Sequence, residues 1–214
     1  MRPRSRGRLV ALEGIDGAGK STLTKGLVRT LRRRGVRAIA RREPADRNLG
    51  HLAQEASLRD PWTGAVYFTI DRFLARPALE GDLRHAAVVV TDRSFYSTLA
   101  YQGSALGPAG VRKILELSNR ATIVPDRVVL LDLPPKVAIE RLGHRGPGRG
   151  PLERRRILER VARRYRKMAR RERWLVLDAR RPVAELLRAA LDDIAPPGRR
   201  ARKVPRRPAS RERT

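Results

Sequence analysis

Lys20 and Ser21 close an eight-residue run, Gly14-Ile15-Asp16-Gly17-Ala18-Gly19-Lys20-Ser21, of the form G-x-x-x-x-G-K-[ST]. Glycines at these intervals let a backbone wrap closely around a polyphosphate with its N–H groups turned inward. A lysine at the end of the run reaches the β- and γ-phosphate oxygens as a point charge, and the hydroxyl after it is a magnesium ligand. The run has this meaning only where it follows a buried strand and opens a helix, whose positive N-terminal end then faces the anion. Both conditions are met: residues 8–13 (RLVALE) read as a short buried strand, and Thr22 to Arg34 as a helix with Gly35 as its stop. Gly14, Ile15, Asp16, Gly17, Ala18, Gly19, Lys20, Ser21 and Thr22 are therefore the predicted ATP-binding segment, with Mg2+ on Ser21.

The rest of the chain must hold that loop in place. Strands are predicted at 36–40, at 86–90 (AAVVV), at 127–133 (RVVLLDL) and at 174–177, the apolar runs reading as strands covered on both faces. Helices are predicted at 47–58, 62–80, 94–102, 108–119, 134–142, 152–172 and 183–194, with Pro61 placed to start the second of these. Strands alternating with helices imply βαβ units. The expected architecture is an α/β P-loop NTPase fold, a five-stranded parallel sheet flanked by helices on both faces, within one domain over 1–195. A Gly/Pro/Arg segment at 143–151 reads as a flexible loop. Residues 196–214 (PPGRRARKVPRRPASRERT) have no apolar periodicity and are expected to be a disordered basic tail.

Composition narrows the partners. Of the 214 residues, 49 are Lys or Arg and 22 Asp or Glu, a formal net charge of +27. The arginines are spread along the chain and not confined to one stripe, so they reflect a bias in residue usage as readily as a polyanion surface. Either origin predicts attraction of anionic substrates and nonspecific nucleic-acid contact, in part through the tail. Aromatics make up only 4%, which argues against a base-stacking platform. No cysteine is present, which excludes disulfides and thiolate metal sites and fits a cytoplasmic location. No run approaches 18 apolar residues, so no membrane helix is expected.

Five ordered segments together resemble the thymidylate kinases. They are Leu12-Glu13-Gly14-Ile15-Asp16-Gly17-Ala18-Gly19-Lys20-Ser21-Thr22, Arg42-Glu43-Pro44, Phe68-Thr69-Ile70-Asp71-Arg72, Asp92-Arg93-Ser94-Phe95-Tyr96-Ser97 with Ala100-Tyr101-Gln102-Gly103, and Pro125-Asp126 before a strand ending Leu131-Asp132-Leu133. The resemblance covers residues 8–194 and implies transfer of a phosphoryl group from Mg-ATP to dTMP, by a homodimer. It implies that Phe68 stacks on the pyrimidine, with the core as its alternative place, and that Arg72, one helical turn on, bonds a base carbonyl. Arg42 and Arg93 would hold the monophosphate and the transferred group. Asp16 would accept a hydrogen bond from the sugar 3′-hydroxyl. Tyr101 would pack where a 2′-hydroxyl would sit, and Gln102 would face the base, each with a place in the core or on the surface as its alternative. Asp92 would support magnesium through water, cap the helix that follows, or do both. Some members carry an arginine inside the glycine loop where this chain has Gly17. The loop at 143–151 resembles the family's lid, which closes over ATP and expels water, and in such members the lid supplies the arginines; Arg141, Arg145 and Arg149 are the candidates, the last two as catalytic groups beside Lys20, Arg93 and Asp16.

The chain also departs from the family pattern. Ala45-Asp46 follows Arg42-Glu43-Pro44 where Gly-Gly is usual, Ser94 stands third in the Asp-Arg-Tyr segment, and Leu152-Glu153 lacks the usual Phe. These changes touch the acceptor side more than the ATP side. The alternatives are a kinase of the same fold for another nucleotide, nucleoside or small phosphorylated acceptor, and a P-loop protein that binds nucleic acid.

Overall fold

A computed structural model of the chain describes residues 6–143 and 151–194. The expected lid arginines Arg145 and Arg149, and the tail at 196–214, lie outside the described residues.

Five strands form one parallel sheet: β1 (Arg8–Glu13), β2 (Ala38–Arg42), β3 (Val88–Asp92), β4 (Arg127–Asp132) and β5 (Leu175–Asp178), in the order β2-β3-β1-β4-β5. Seven helices are described: α1 (Lys20–Arg33), α2 (Arg47–Arg59), α3 (Pro61–His85), α4 (Phe95–Ser118), α5 (Pro135–Leu142), α6 (Pro151–Glu172) and α7 (Val183–Ile194). Val10, Leu12, Val88, Val90, Val129 and Leu131 join Leu27 and Leu31 of α1, Tyr165 of α6 and Leu191 of α7 in the main core. Leu9 and Val89, one residue out of phase with Val10 and Val88, pack instead with Leu83 of α3. The period-2 alternation of side chains thus buries the central strands on both faces.

Strand β3 begins two residues later than predicted. Helix α3 runs on to His85, and Ala86 caps it with its N–H on the Asp82 carbonyl, so Ala86 and Ala87 turn the chain before pairing begins. Strand β2 is shifted likewise, to end on Arg41 and Arg42. As an edge strand it carries Arg42 on its exposed side. Helices predicted at 94–102 and 108–119 are the two halves of α4, kinked at Gly107 (φ 68°, ψ −169°) ahead of Pro108.

Register brings the site together. Leu12 and Arg42 both pair with Asp92, on opposite sides of β3, so the ends of β1, β2 and β3 present Glu13, Arg42 and Asp92 along one edge. Ligands of open parallel sheets bind at this carboxyl end.

Candidate active site

The glycine loop has the shape a phosphate cradle needs. Gly14 sits at φ 143°, and a Cβ there would lie 2.5 Å from the Leu131 carbonyl oxygen, so only glycine lets β1 turn beside β4. Gly17, at φ 82°, lies against α5, where a Cβ would stand 3.1 Å from the Ala138 carbonyl oxygen. Around Gly19 the space is open: a Cβ would meet nothing within 4 Å. Gly19 is also the N-cap of α1 and no side chain caps that helix, which leaves its first amides to a ligand.

Lys20 is buried. Its Nζ donates to the carbonyls of Gly14 (3.0 Å) and Ile15 (2.9 Å), folded back on its own loop. Burial and the neighbouring Arg93 cation bring its pKa down to about 8, against the pull of Asp16, Asp92 and Glu13. The Ser21 hydroxyl donates to Asp92 Oδ2. Asp92 does not cap α4; Ser94 does, its Oγ accepting from the Tyr96 N–H. Asp92 is therefore free to serve Ser21. Among the described residues no three His, Cys, Asp or Glu side chains form a metal cage. The Ser21 hydroxyl with Asp92 behind it suits magnesium, which is held by few protein oxygens together with phosphate oxygens and water.

A second group converges on the loop from α4. Arg93 forms an ion pair with Asp16 and donates to Ser97 Oγ (2.9 Å), and its guanidinium lies 5.2 Å from the centre of the Tyr101 ring. The Tyr101 hydroxyl donates to Asp16 Oδ2 and accepts from the Asp16 N–H, both at 3.1 Å. Burial opposes charge on both partners of the ion pair. Their attraction overcomes it, lowering the Asp16 pKa and raising that of Arg93. Arg93 stands at φ 76°, a left-handed conformation rare for a side chain this size. It is held there by its N–H on the Leu12 carbonyl (3.0 Å) and by Thr91 Oγ1 on its own carbonyl (2.8 Å).

Arg72 forms a third centre. It is buried, with Nε on Glu43 Oε2 (2.7 Å) and Nη2 on Thr98 Oγ1, while Nη1 has no partner among the described residues. Asp71, beside it, accepts from the N–H groups of Ala45 and Asp46, each at 2.8 Å. Asp46 in turn caps α2 through Leu49 (2.9 Å). The unusual Ala45-Asp46 thus has a structural role: its amides are satisfied by the Phe68–Arg72 helix and its carboxylate starts α2. Phe68 is half-buried and Arg42 exposed. Gln102 is buried and donates through Nε2 to Ser57 Oγ of α2 (3.0 Å). That placement ties α2 to α4 and differs from the base-facing one the resemblance implies, because a buried amide takes the acceptor that packing offers. Arg141 donates to the carbonyls of Gly17 (3.3 Å) and Ala179 (3.1 Å), joining the glycine loop to the segment after β5.

Glu13, Glu43, Asp71, Ser97, Thr98 and Tyr165 had no role assigned from sequence. Glu13 carried a signal: a lone carboxylate ending an otherwise apolar strand must be paired or hydrogen-bonded.

A parallel sheet whose first strand feeds a phosphate loop, with cations and carboxylates gathered from the next two strand ends, defines a P-loop nucleotide kinase. The sequence profile described as thymidylate kinase matches residues 12–190. A probable thymidylate kinase of Metallosphaera sedula is 32% identical over 184 residues, 86% of this chain and 90% of that protein. One from Sulfurisphaera tokodaii is 36% identical over 180 residues (84% and 91%). The thymidylate kinase of Fervidobacterium nodosum is 32% identical over 186 residues (84% and 94%). The chain belongs to the thymidylate kinase family.

Proposed function

We propose that the protein transfers the γ-phosphoryl group of Mg-ATP to dTMP, giving ADP and dTDP, and that the three centres described above divide the work. The reading rests on one observation above all: Asp16, Arg93 and Tyr101 form a single bonded cluster at the rim of the glycine loop. A carboxylate, a cation and a ring so placed suit the sugar hydroxyl, the phosphate and the deoxyribose face of one acceptor nucleotide.

The loop amides and Lys20 would hold the β- and γ-phosphates, with Lys20 turning from the Gly14 and Ile15 carbonyls to do so. Ser21, with Asp92 behind it, would hold magnesium, whose charge would neutralise the phosphate oxygens. Arg93 would bridge the acceptor and transferred phosphates, and Arg42, with no partner among the described residues, would reach the acceptor phosphate. Phe68 would stack on the base, and Arg72 Nη1 would gain an acceptor from a base carbonyl. Arg145 and Arg149 remain the proposed lid groups. No strong general base is needed, because a monophosphate already presents an ionised oxygen. Catalysis is then alignment, charge spreading and exclusion of water.

Two further partners belong to this reading. A homodimer is supported by an exposed apolar stripe on α3: Ile70, Phe73 and Leu74 are 42%, 60% and 65% accessible and lie on one face by their spacing. Nonspecific nucleic-acid contact is supported by the net charge of +27, and predicts a steep loss of such binding with salt. No helix of the described residues is long and apolar enough to cross a membrane.

The deciding experiment is coupled ADP release with Mg-ATP against dTMP, dUMP, UMP, CMP and thymidine, with Lys20→Ala as control. Selective turnover of dTMP, lost in the control, supports the reading. Preference for another acceptor overturns the substrate assignment and leaves the phosphoryl transfer in place.

A further inference from the structure

Glu13 has no accessible surface. Its Oε1 accepts from the Ser94 N–H (2.8 Å) and the Ser94 hydroxyl (2.6 Å). Its Oε2 accepts from the hydroxyls of Ser97 (2.7 Å) and Tyr165 (2.9 Å). Two bonds to each oxygen fill the acceptor capacity of a carboxylate. The four donors come from the residue after Arg93, from the first turns of α4, and from α6, the helix that follows the lid segment. Tyr165 is itself buried, 2.9 Å from the Ser97 hydroxyl.

Arg93 lies inside this network. Its Nη1 donates to Ser97 Oγ, the same hydroxyl that donates to Glu13. Its N–H is fixed on Leu12, the residue before Glu13, while the next N–H, that of Ser94, is fixed on Glu13 itself. Backbone in the left-handed region is unfavourable for a residue with a side chain, and persists only where its surroundings over-determine it. Glu13 supplies that determination from one side of the Arg93–Ser94 peptide and orients the guanidinium through Ser97 from the other. A group that served only to fill the core at this position would be apolar, and would not require four donors to satisfy it.

We propose that Glu13 is the positioning residue of the phosphoryl-transfer step: through Ser94 and Ser97 it holds Arg93 in its left-handed conformation with its guanidinium aimed at the transferred group, and Tyr165 completes its set of donors. The inference rests on the role given to Arg93 above. Glu13→Gln keeps the shape of the side chain and the bonds from Ser94. It places an NH2 against the Ser97 and Tyr165 hydroxyls, so Ser97 must receive a second donor where Arg93 already donates.

The test is a double-mutant cycle on kcat with dTMP and Mg-ATP, using Glu13→Gln, Arg93→Ala and the pair. Glu13→Gln is expected to lower kcat on the order of 30-fold, with both KM values within about threefold. In the Arg93→Ala background the same change is expected to cost less than about threefold. Tyr165→Phe, which loses one hydroxyl and keeps the ring, is expected to lower kcat about fivefold and also to lose its effect beside Arg93→Ala. It decides the matter if Glu13→Gln fails to fold. Effects that multiply overturn the proposal and leave the role of Arg93 standing, since a merely structural glutamate would weaken both backgrounds alike. Unchanged kcat in Glu13→Gln or Tyr165→Phe overturns it as well. Unchanged kcat in Arg93→Ala overturns both the proposal and the reading it rests on.

Discussion

Asp16 and Arg93, 77 residues apart, form an ion pair at the rim of the phosphate loop, with Tyr101 bonded to one and stacked under the other. One belongs to the loop after β1 and the other to the turn after β3, and the parallel pairing of those strands makes them neighbours. The Asp16 carboxylate is about half exposed, so the pair contributes little to stability. Its value lies in geometry: it keeps the Arg93 cation at the loop before substrate arrives.

Replacing Asp16 by Asn is expected to lower kcat with dTMP on the order of 10²-fold, about 3 kcal/mol, by freeing Arg93 and losing the sugar contact. The sign of the pH dependence follows from the pair. Protein packed around Asp16 works against its ionisation although about half of the side chain's surface is open, but Arg93 and Lys20 bring its pKa below 3.8. Its contribution is therefore complete above that value and lost only as pH falls through the lower, folded-state pKa. Steady-state rates across pH should show no acid limb from Asp16 above about pH 5.

Lys20 predicts the opposite limb. In the free protein its pKa is about 8, below the ordinary 10.5. Phosphate oxygens favour the charged amine, so binding of ATP above pH 8 must draw a proton from solvent. Affinity for ATP should fall about tenfold per pH unit above 8. Titration calorimetry in buffers of different ionisation enthalpy should record the proton uptake in the wild type and none in Lys20→Ala. Stability responds too. Between pH 8 and 10.5 the unfolded chain holds more protons at this site than the folded one, so the free protein gains stability from this site as pH rises, about 3 kcal/mol over the interval. Denaturant midpoints for wild type and Lys20→Met should converge at high pH.

Arg72 separates base recognition from chemistry. Glu43 and Thr98 fix two of its nitrogens, and an unmatched buried donor such as Nη1 costs about 1–3 kcal/mol until an acceptor meets it. Arg72→Ala is expected to raise KM for dTMP on the order of 10–100-fold, with KM for ATP nearly unchanged. Thr98→Val should move KM for dTMP in the same direction by about tenfold, since it unties the guanidinium without removing it. Steady-state kinetics with each substrate varied in turn separates the two effects; a matching rise in KM for ATP would count against a base-reading Arg72.

Much of this was legible in the sequence, for a physical reason. The glycine loop is a local structure, written in consecutive residues, and the apolar runs of β1, β3 and β4 announce strands buried on both faces. The convergence of Asp16, Arg93 and Tyr101 was foreseen only through resemblance, since nothing local to Arg93 says which loop it will meet. The Glu13 network escaped because its donors are ordinary serines and a tyrosine 152 residues away, joined only by topology. The core place of Gln102, on Ser57, is no more legible, for a related reason. Its partner Ser57 belongs to α2, and helix–helix contacts of that kind leave no periodic mark. The edge strand β2 was drawn two residues early because Arg41 and Arg42 look like loop. An edge strand can carry such side chains, and Arg41 lies against Asp82 of α3 in an ion pair.

The α3 stripe gives the last prediction. Ile70, Phe73 and Leu74 lie along an exposed side of α3, while Thr69 and Arg72 of the same helix are buried. Covering the exposed half of three large apolar side chains within one helical turn contributes about 1 kcal/mol each. Phe73→Glu with Leu74→Lys is therefore expected to shift sedimentation velocity from dimer to monomer at micromolar protein. The same helix carries Phe68 and Arg72 at the site, so loss of the partner should loosen it and raise KM for dTMP before it affects ATP binding. A wild type that sediments as a monomer would contradict the assignment of this face as the dimer contact.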